Sequence, residues 1–125
     1  MKYLGVDFGL RRIGLALSEG EIASPLKILE VKNFSQGVEK VMEIIREEGI
    51  DKVVVGMPEG QMGKNVTGFI KKLKAKGIEV ETADETLSSR RALEYMIEQN
   101  IPRKKRKVND AQAAAIILQD YLDSK

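Results

Sequence analysis

The chain contains no histidine and no cysteine. That removes the Ser-His-Asp triad, Cys-His pairs, thiolate nucleophiles, disulfides and any metal site built on His or Cys. Chemistry near neutral pH then falls to carboxylates, Lys, Ser or a metal held by carboxylates. Asp7 closes an alternating segment beside Val6 and Phe8, where an ionised group needs a partner or a cation. An Asp before a glycine is also an ordinary turn residue. The whole string Gly5-Val-Asp7-Phe-Gly9-Leu-Arg-Arg12-Ile-Gly14 argues for more, because its glycines let a large group approach the backbone and Arg11 and Arg12 suit a phosphate. Asp110 opens a segment with Ala114, Ile117 and Leu118 at i+4, i+7 and i+8. Its carboxylate therefore shares the apolar stripe, although acids are also favoured in a first helical turn for the helix dipole alone. The third position is the pair Asp84-Glu85, at the exit of an apolar segment and before Thr86-Leu-Ser-Ser89, where a capping role competes with a chemical one. Glu59, in a glycine-rich loop after the run Val53-Val54-Val55, ranks below it.

Acids from separate strands and a helix, converging at one sheet edge, would hold Mg²⁺ or Mn²⁺ through oxygen ligands alone. A two-metal site of that kind suits phosphodiester hydrolysis. The charge distribution agrees. The net charge is +2, but residues 103–107 read Arg103-Lys104-Lys105-Arg106-Lys107; without these five the remainder is −3. A basic segment ending three residues before Asp110 is placed to hold a nucleic-acid backbone beside the metals, where an isolated charge run would be a solvated loop.

These residues need elements to position them. Lys2–Asp7 and Arg12–Ser18 alternate and form an antiparallel hairpin. The second segment sets Ile13, Leu15 and Leu17 on one face and the small Gly14, Ala16 and Ser18 on the other. A third strand falls within Ile22–Glu30, with Pro25 suited to an edge. Helical spacing marks Ser35–Glu48, stopped at Gly49, and Asn65–Lys76. Lys52–Gly56 has the pattern of a buried parallel strand, Glu79–Ala83 is a short strand, Ser88 caps a helix to Gln99, and Asn109 caps a last helix to about Asp123. The fold class is α/β, a mixed sheet in which an antiparallel three-strand meander is extended by parallel strands and covered by helices. With 125 residues and no repeat or linker, residues 1–125 make a single domain. No apolar run reaches the length of a membrane span, and Asp7 interrupts any signal-like stretch, so the expected setting is the cytoplasm. Gly56–Lys64 fails the phosphate-loop spacing, since Pro58 stands at the first Gly and Asn65 follows the Lys.

Four segments carry a resemblance. Asp7-Phe-Gly-Leu-Arg-Arg-Ile-Gly-Leu-Ala-Leu-Ser18, Val55-Gly-Met-Pro58 with Gly63, Asp84-Glu-Thr-Leu-Ser88, and Asp110-Ala-Gln-Ala-Ala-Ala-Ile-Ile-Leu-Gln-Asp-Tyr-Leu122 resemble the YqgF/RuvX family. They occur in the family's order across nearly the whole chain. The resemblance implies an RNase H-like fold with five strands and a metal-dependent nuclease. It also implies activity as a Holliday junction resolvase or in maturing the 5′ end of pre-16S rRNA. It implies Asp7, Glu85 and Asp110 as catalytic and metal-binding acids, selecting Glu85 over Asp84 and Glu59. Two departures stand out: Thr86 replaces the Arg usual after the Asp-Glu pair, and Glu59-Gly-Gln-Met-Gly63 replaces Leu-Asn-Met-Asp-Gly. The expected partners are structured RNA or branched DNA, including a ribosomal precursor, with the chain a monomer or weak homodimer. The competing reading is a non-catalytic nucleic-acid or ribosome-associated binding module on the same fold. An actin-like nucleotide-binding reading of Asp7-x-Gly9 requires two lobes, and the chain has length for one.

Overall fold

The structure, a computed structural model, describes residues 1–57, 62–84 and 109–124. Five strands, β1 (Tyr3–Asp7), β2 (Arg12–Ser18), β3 (Ala23–Glu30), β4 (Lys52–Met57) and β5 (Val80–Asp84), form one sheet in the order β3-β2-β1-β4-β5. The β1–β2–β3 meander is antiparallel, and β4 and β5 join β1 in parallel. This is the expected mixed sheet, with Pro25 on the edge strand beside a register shift at Leu15/Ala16, where a missing backbone donor is tolerated.

Three helices are described. In α1 (Phe34–Glu48) the Asn33 side chain accepts from the Gln36 N–H and Gly49 closes the C-terminus. α2 spans Met62–Ala75, starting three residues before the expected Asn65. Gly63 therefore lies inside the helix, and its carbonyl accepts from the Thr67 hydroxyl at 2.7 Å. α3 spans Asp110–Asp123. The helix expected over Ser88–Gln99 lies outside the described residues.

Alternation in β1 divides the core in two. Leu4 and Val6 pack with Ile13, Leu15, Val53 and Val55 against Val38, Val41 and Ile45 of α1 and Val66, Phe69 and Leu73 of α2. On the other face Tyr3, Ala16 and Val54 pack against Ala114, Ala115, Ile117 and Leu118 of α3. That second layer is thin because glycines floor it. A Cβ at Gly5 would stand 2.8 Å from both the Ala114 carbonyl oxygen and Leu118 Cβ, and one at Gly14 would overlap the Asp110 carbonyl and come 2.8 Å from the Ala111 nitrogen. The backbone of α3 therefore rests directly on β1 and β2. No flexible side-chain end is in the way at Gly14, so a methyl group there must lift the helix. We expect Gly14→Ala to destabilise the fold by about 1–3 kcal/mol, measured by thermal denaturation. A melting temperature equal to wild type would show that the helix does not sit on the glycine.

Candidate active site

The parallel strands β1, β4 and β5 end at one edge of the sheet, at Asp7, Met57 and Asp84. At the same edge β2 begins with Arg12 and α3 with Asp110. Asp7 pairs across the ladder with Gly14, its Cα about 4.5–5.5 Å away, and Gly14 in turn meets the backbone of Asp110. Two acids 103 positions apart in the chain thus flank one glycine. Asp84 closes β5, two strands from β1, or about 10 Å at the usual strand spacing. Glu85, Glu59 and the segment Arg103–Lys107 lie outside the described residues.

Asp110 is fixed by its helix. The Asn109 side chain accepts from the Gln112 N–H at 2.8 Å, and the Gln112 side chain accepts from the Asn109 N–H at 3.1 Å, a reciprocal cap that satisfies two otherwise orphaned donors. Farther along, Gln119 accepts from the Ala23 N–H and donates to the Glu21 carbonyl, both at 2.9 Å. This clamps α3 to the start of β3 and sets its axial position. Tyr3 and Tyr121 add a tilted ring contact at 6.2 Å.

Asp7 is half-buried and the Asp110 side chain one-third exposed. Arg12 Nε lies 3.4 Å from Asp110 Oδ2, with the Arg12 side chain 65% exposed, so solvent screens the pair. Arg11 leaves its side chain exposed while its carbonyl accepts from the Val31 N–H at 2.9 Å, tying the β1–β2 turn to the end of β3. Among the described residues no group of three acids is assembled. Asp7 and Asp110 are the two set beside the same glycine, and carboxylates so placed could offer oxygen ligands to a hard divalent cation.

The sequence offers Asp7 and Asp110 as candidates, and the structure sets them on either side of Gly14. The small-residue face of β2 and the alanines after Asp110 together signal the close backbone approach seen here, a signal that neither segment gives alone. The Gln119 clamp left no signal, since a single Gln at a helix surface has no spacing to reveal it.

A meander extended by parallel strands, with the closing helix seated where β1 ends, is the RNase H-like architecture. Two solved structures share it. RuvC of T. thermophilus, in complex with a Holliday junction substrate, superposes with a TM-score of 0.67 at 16% identity, covering 99% of this chain and 94% of that one. The fowlpox virus resolvase, in complex with Holliday junction DNA, gives 0.63 at 14%, covering 99% and 98%. In sequence, residues 1–124 match the profile of the RuvX family, described as Holliday junction resolvase. Two curated relatives carry the name "Putative pre-16S rRNA nuclease". That of Desulforamulus reducens is 37% identical over 99% of this chain and 98% of its own, and that of Bacillus cytotoxicus is 35% identical over the full length of both. The chain belongs to the RuvX family, and is thereby a nuclease.

The cap and the ion pair differ in what they hold. Asn109→Ala should cost about 1 kcal/mol, whereas Arg12→Gln should leave stability within about 0.5 kcal/mol. Denaturant titration of both variants measures this, and the opposite ranking would make the Arg12–Asp110 pair the main anchor of the helix start.

Proposed function

We propose that the chain is a divalent-metal-dependent endonuclease that hydrolyses phosphodiester bonds in structured nucleic acid, acting as one domain over residues 1–125. The observation that carries this reading is the placement of Asp7 and Asp110 on either side of Gly14. Asp7 and Asp110 serve as metal ligands, and Glu85, next in sequence to the end of β5, as a further ligand or a water-orienting group. Mg²⁺ or Mn²⁺, bound there as one ion or two, would neutralise charge developing on the phosphate and acidify the attacking water. The protein's own part is electrostatic and positional. The carboxylates concentrate negative charge at a sheet edge whose strands hold them in register. Arg12, which pairs with Asp110, is within reach of a phosphate brought to that carboxylate, and Arg11 and Arg103–Lys107 contact the backbone on either side.

The substrate supported best is precursor 16S rRNA, cut at its 5′ end in the cytoplasm. Support comes from the full-length relatives bearing that name. Holliday junction resolution is the second reading, favoured by the family's description and by the junction complexes of the two structural neighbours. Cutting a single RNA strand can be done by a monomer, whereas symmetric cutting of a junction calls for a homodimer, here a weak one.

Asp7→Asn should lower cleavage by on the order of a thousandfold, since removing a metal-binding charge forfeits several kcal/mol of transition-state stabilisation, while leaving binding and melting temperature near wild type. The assay is run with Mg²⁺ or Mn²⁺ and again with chelator, on a pre-16S rRNA fragment and a four-way DNA junction side by side. Cleavage that survives chelation, or normal turnover by the variant, would remove Asp7 from the site. Binding undiminished by chelator, with no product under any condition, would instead identify a binding module.

A further inference from the structure

The stretch Met62–Lys76, helix α2 and its C-terminal turn, contains five lysines and no acid. All five are exposed. α1, on the same face of the sheet, instead sets Glu39, Glu43, Glu47 and Glu48 against Lys40 and Arg46. Lysines in a last turn complement the helix dipole, which accounts for Lys72 and Lys74. It does not account for Lys64, which lies in the first turn, at the end of the dipole where a cation is disfavoured. Helix stability therefore gives no reason for a cation at that place, and among the described residues no acid pairs with it.

Lys64 and Lys71 are seven residues apart, about 10.5 Å along the axis, on the helix face opposite the buried Val66, Phe69, Ile70 and Leu73. Together with Thr67 they line an open groove that Met57, Gly63 and Gly68 complete. Met57 ends β4, the strand hydrogen-bonded to β1, so the groove opens at the same sheet edge as Asp7. Two exposed lysines and a hydroxyl along one open groove offer charge and hydrogen bonding to a phosphate backbone. The geometry points to α2 as a second track for the substrate's sugar-phosphate backbone, holding an arm that leaves the catalytic edge over the α1/α2 face, with Lys64 and Lys71 as its phosphate contacts. This rests on the nuclease reading and adds where the rest of the substrate lies.

The test is the salt dependence of binding by the full chain, read by fluorescence anisotropy in chelator with a four-way DNA junction and a duplex RNA fragment. Lys64→Gln/Lys71→Gln should bind roughly tenfold more weakly and lower the log–log salt slope by about 2 on duplex DNA, near 0.9 for each lost phosphate contact. Its melting temperature should equal or exceed that of wild type, because a cation is removed from a helix N-terminus. Lys27→Gln/Lys32→Gln carries the same net-charge change on exposed positions of β3 and the loop after it, and should leave the slope unchanged. An unaltered slope in the α2 variant, with neutralisation of Arg103–Lys107 still lowering it, would overturn the α2 track while the nuclease reading stands. Equal losses in both lysine pairs would reduce the effect to net charge and overturn it too. Displacement of the nucleic acid from wild type, but not from the α2 variant, by polyglutamate at equal charge would assign the face to an acidic protein instead. Wild type that binds neither nucleic acid would overturn both readings.

Discussion

Direct contact between the backbone of α3 and the glycines of β1 and β2 organises the rest of the molecule. Helices usually stand about 10 Å off a sheet because side chains of both surfaces fill the gap. Here Gly5 and Gly14 contribute nothing to that gap, and Ala111, Ala114 and Ala115 contribute little. The helix sinks until its carbonyls meet the strands. Asp110, at the first position of that helix, arrives beside the residue paired with Asp7. A larger side chain at either glycine would thicken the layer and draw the two carboxylates apart. The opposite layer is built differently. Large residues such as Phe69, Leu73 and Val41 fill it, so α1 and α2 contribute most of the apolar burial, while α3 contributes position.

Charge follows the same division. Asp7 and Asp110 stand where β1 ends and α3 begins, with Arg11 and Arg12 in and after the β1–β2 turn beside them, while Lys64 and Lys71 line α2 on the other face of the sheet. Arg12 is common to both groups, since its guanidinium already faces a carboxylate. Its exposure matters, because a buried pair would resist exchange whereas a screened one can trade partners at little cost.

Much of this was legible in the sequence, for identifiable reasons. Alternation in Lys2–Asp7 and Arg12–Ser18 and the unbroken run Val53–Val55 report burial on one face or two, a property each residue type carries by itself. The antiparallel meander followed from its short connections, whereas the return of β4 to β1 rather than to β3 has no sign in the chain order. Asp110 was legible because helical periodicity placed it in line with Ile117 and Leu118. Less legible were features that depend on two distant segments meeting. The start of α2 at Met62 overrode the loop-like look of Gly63. The grip of Gln119 on Glu21 and Ala23 joins residues almost a hundred positions apart through backbone groups, which carry no residue identity. The lysines of α2 were visible as letters, but an exposed Lys is ordinary until the place of Lys64 at a helix start and the lack of an ion-pair partner for it among the described residues are known together.

The seating of α3 also has a consequence in time. Asp7 is made 103 positions before Asp110, and the sheet that carries Asp7 contains β4 and β5, both complete by residue 84. A growing polypeptide can therefore order its strands, since N-terminal portions fold first during synthesis, while the carboxylate pair does not exist. The pair forms only when the closing helix docks. A chain that stops short of residue 110 would carry Asp7 without the carboxylate that the docked helix sets beside the same glycine.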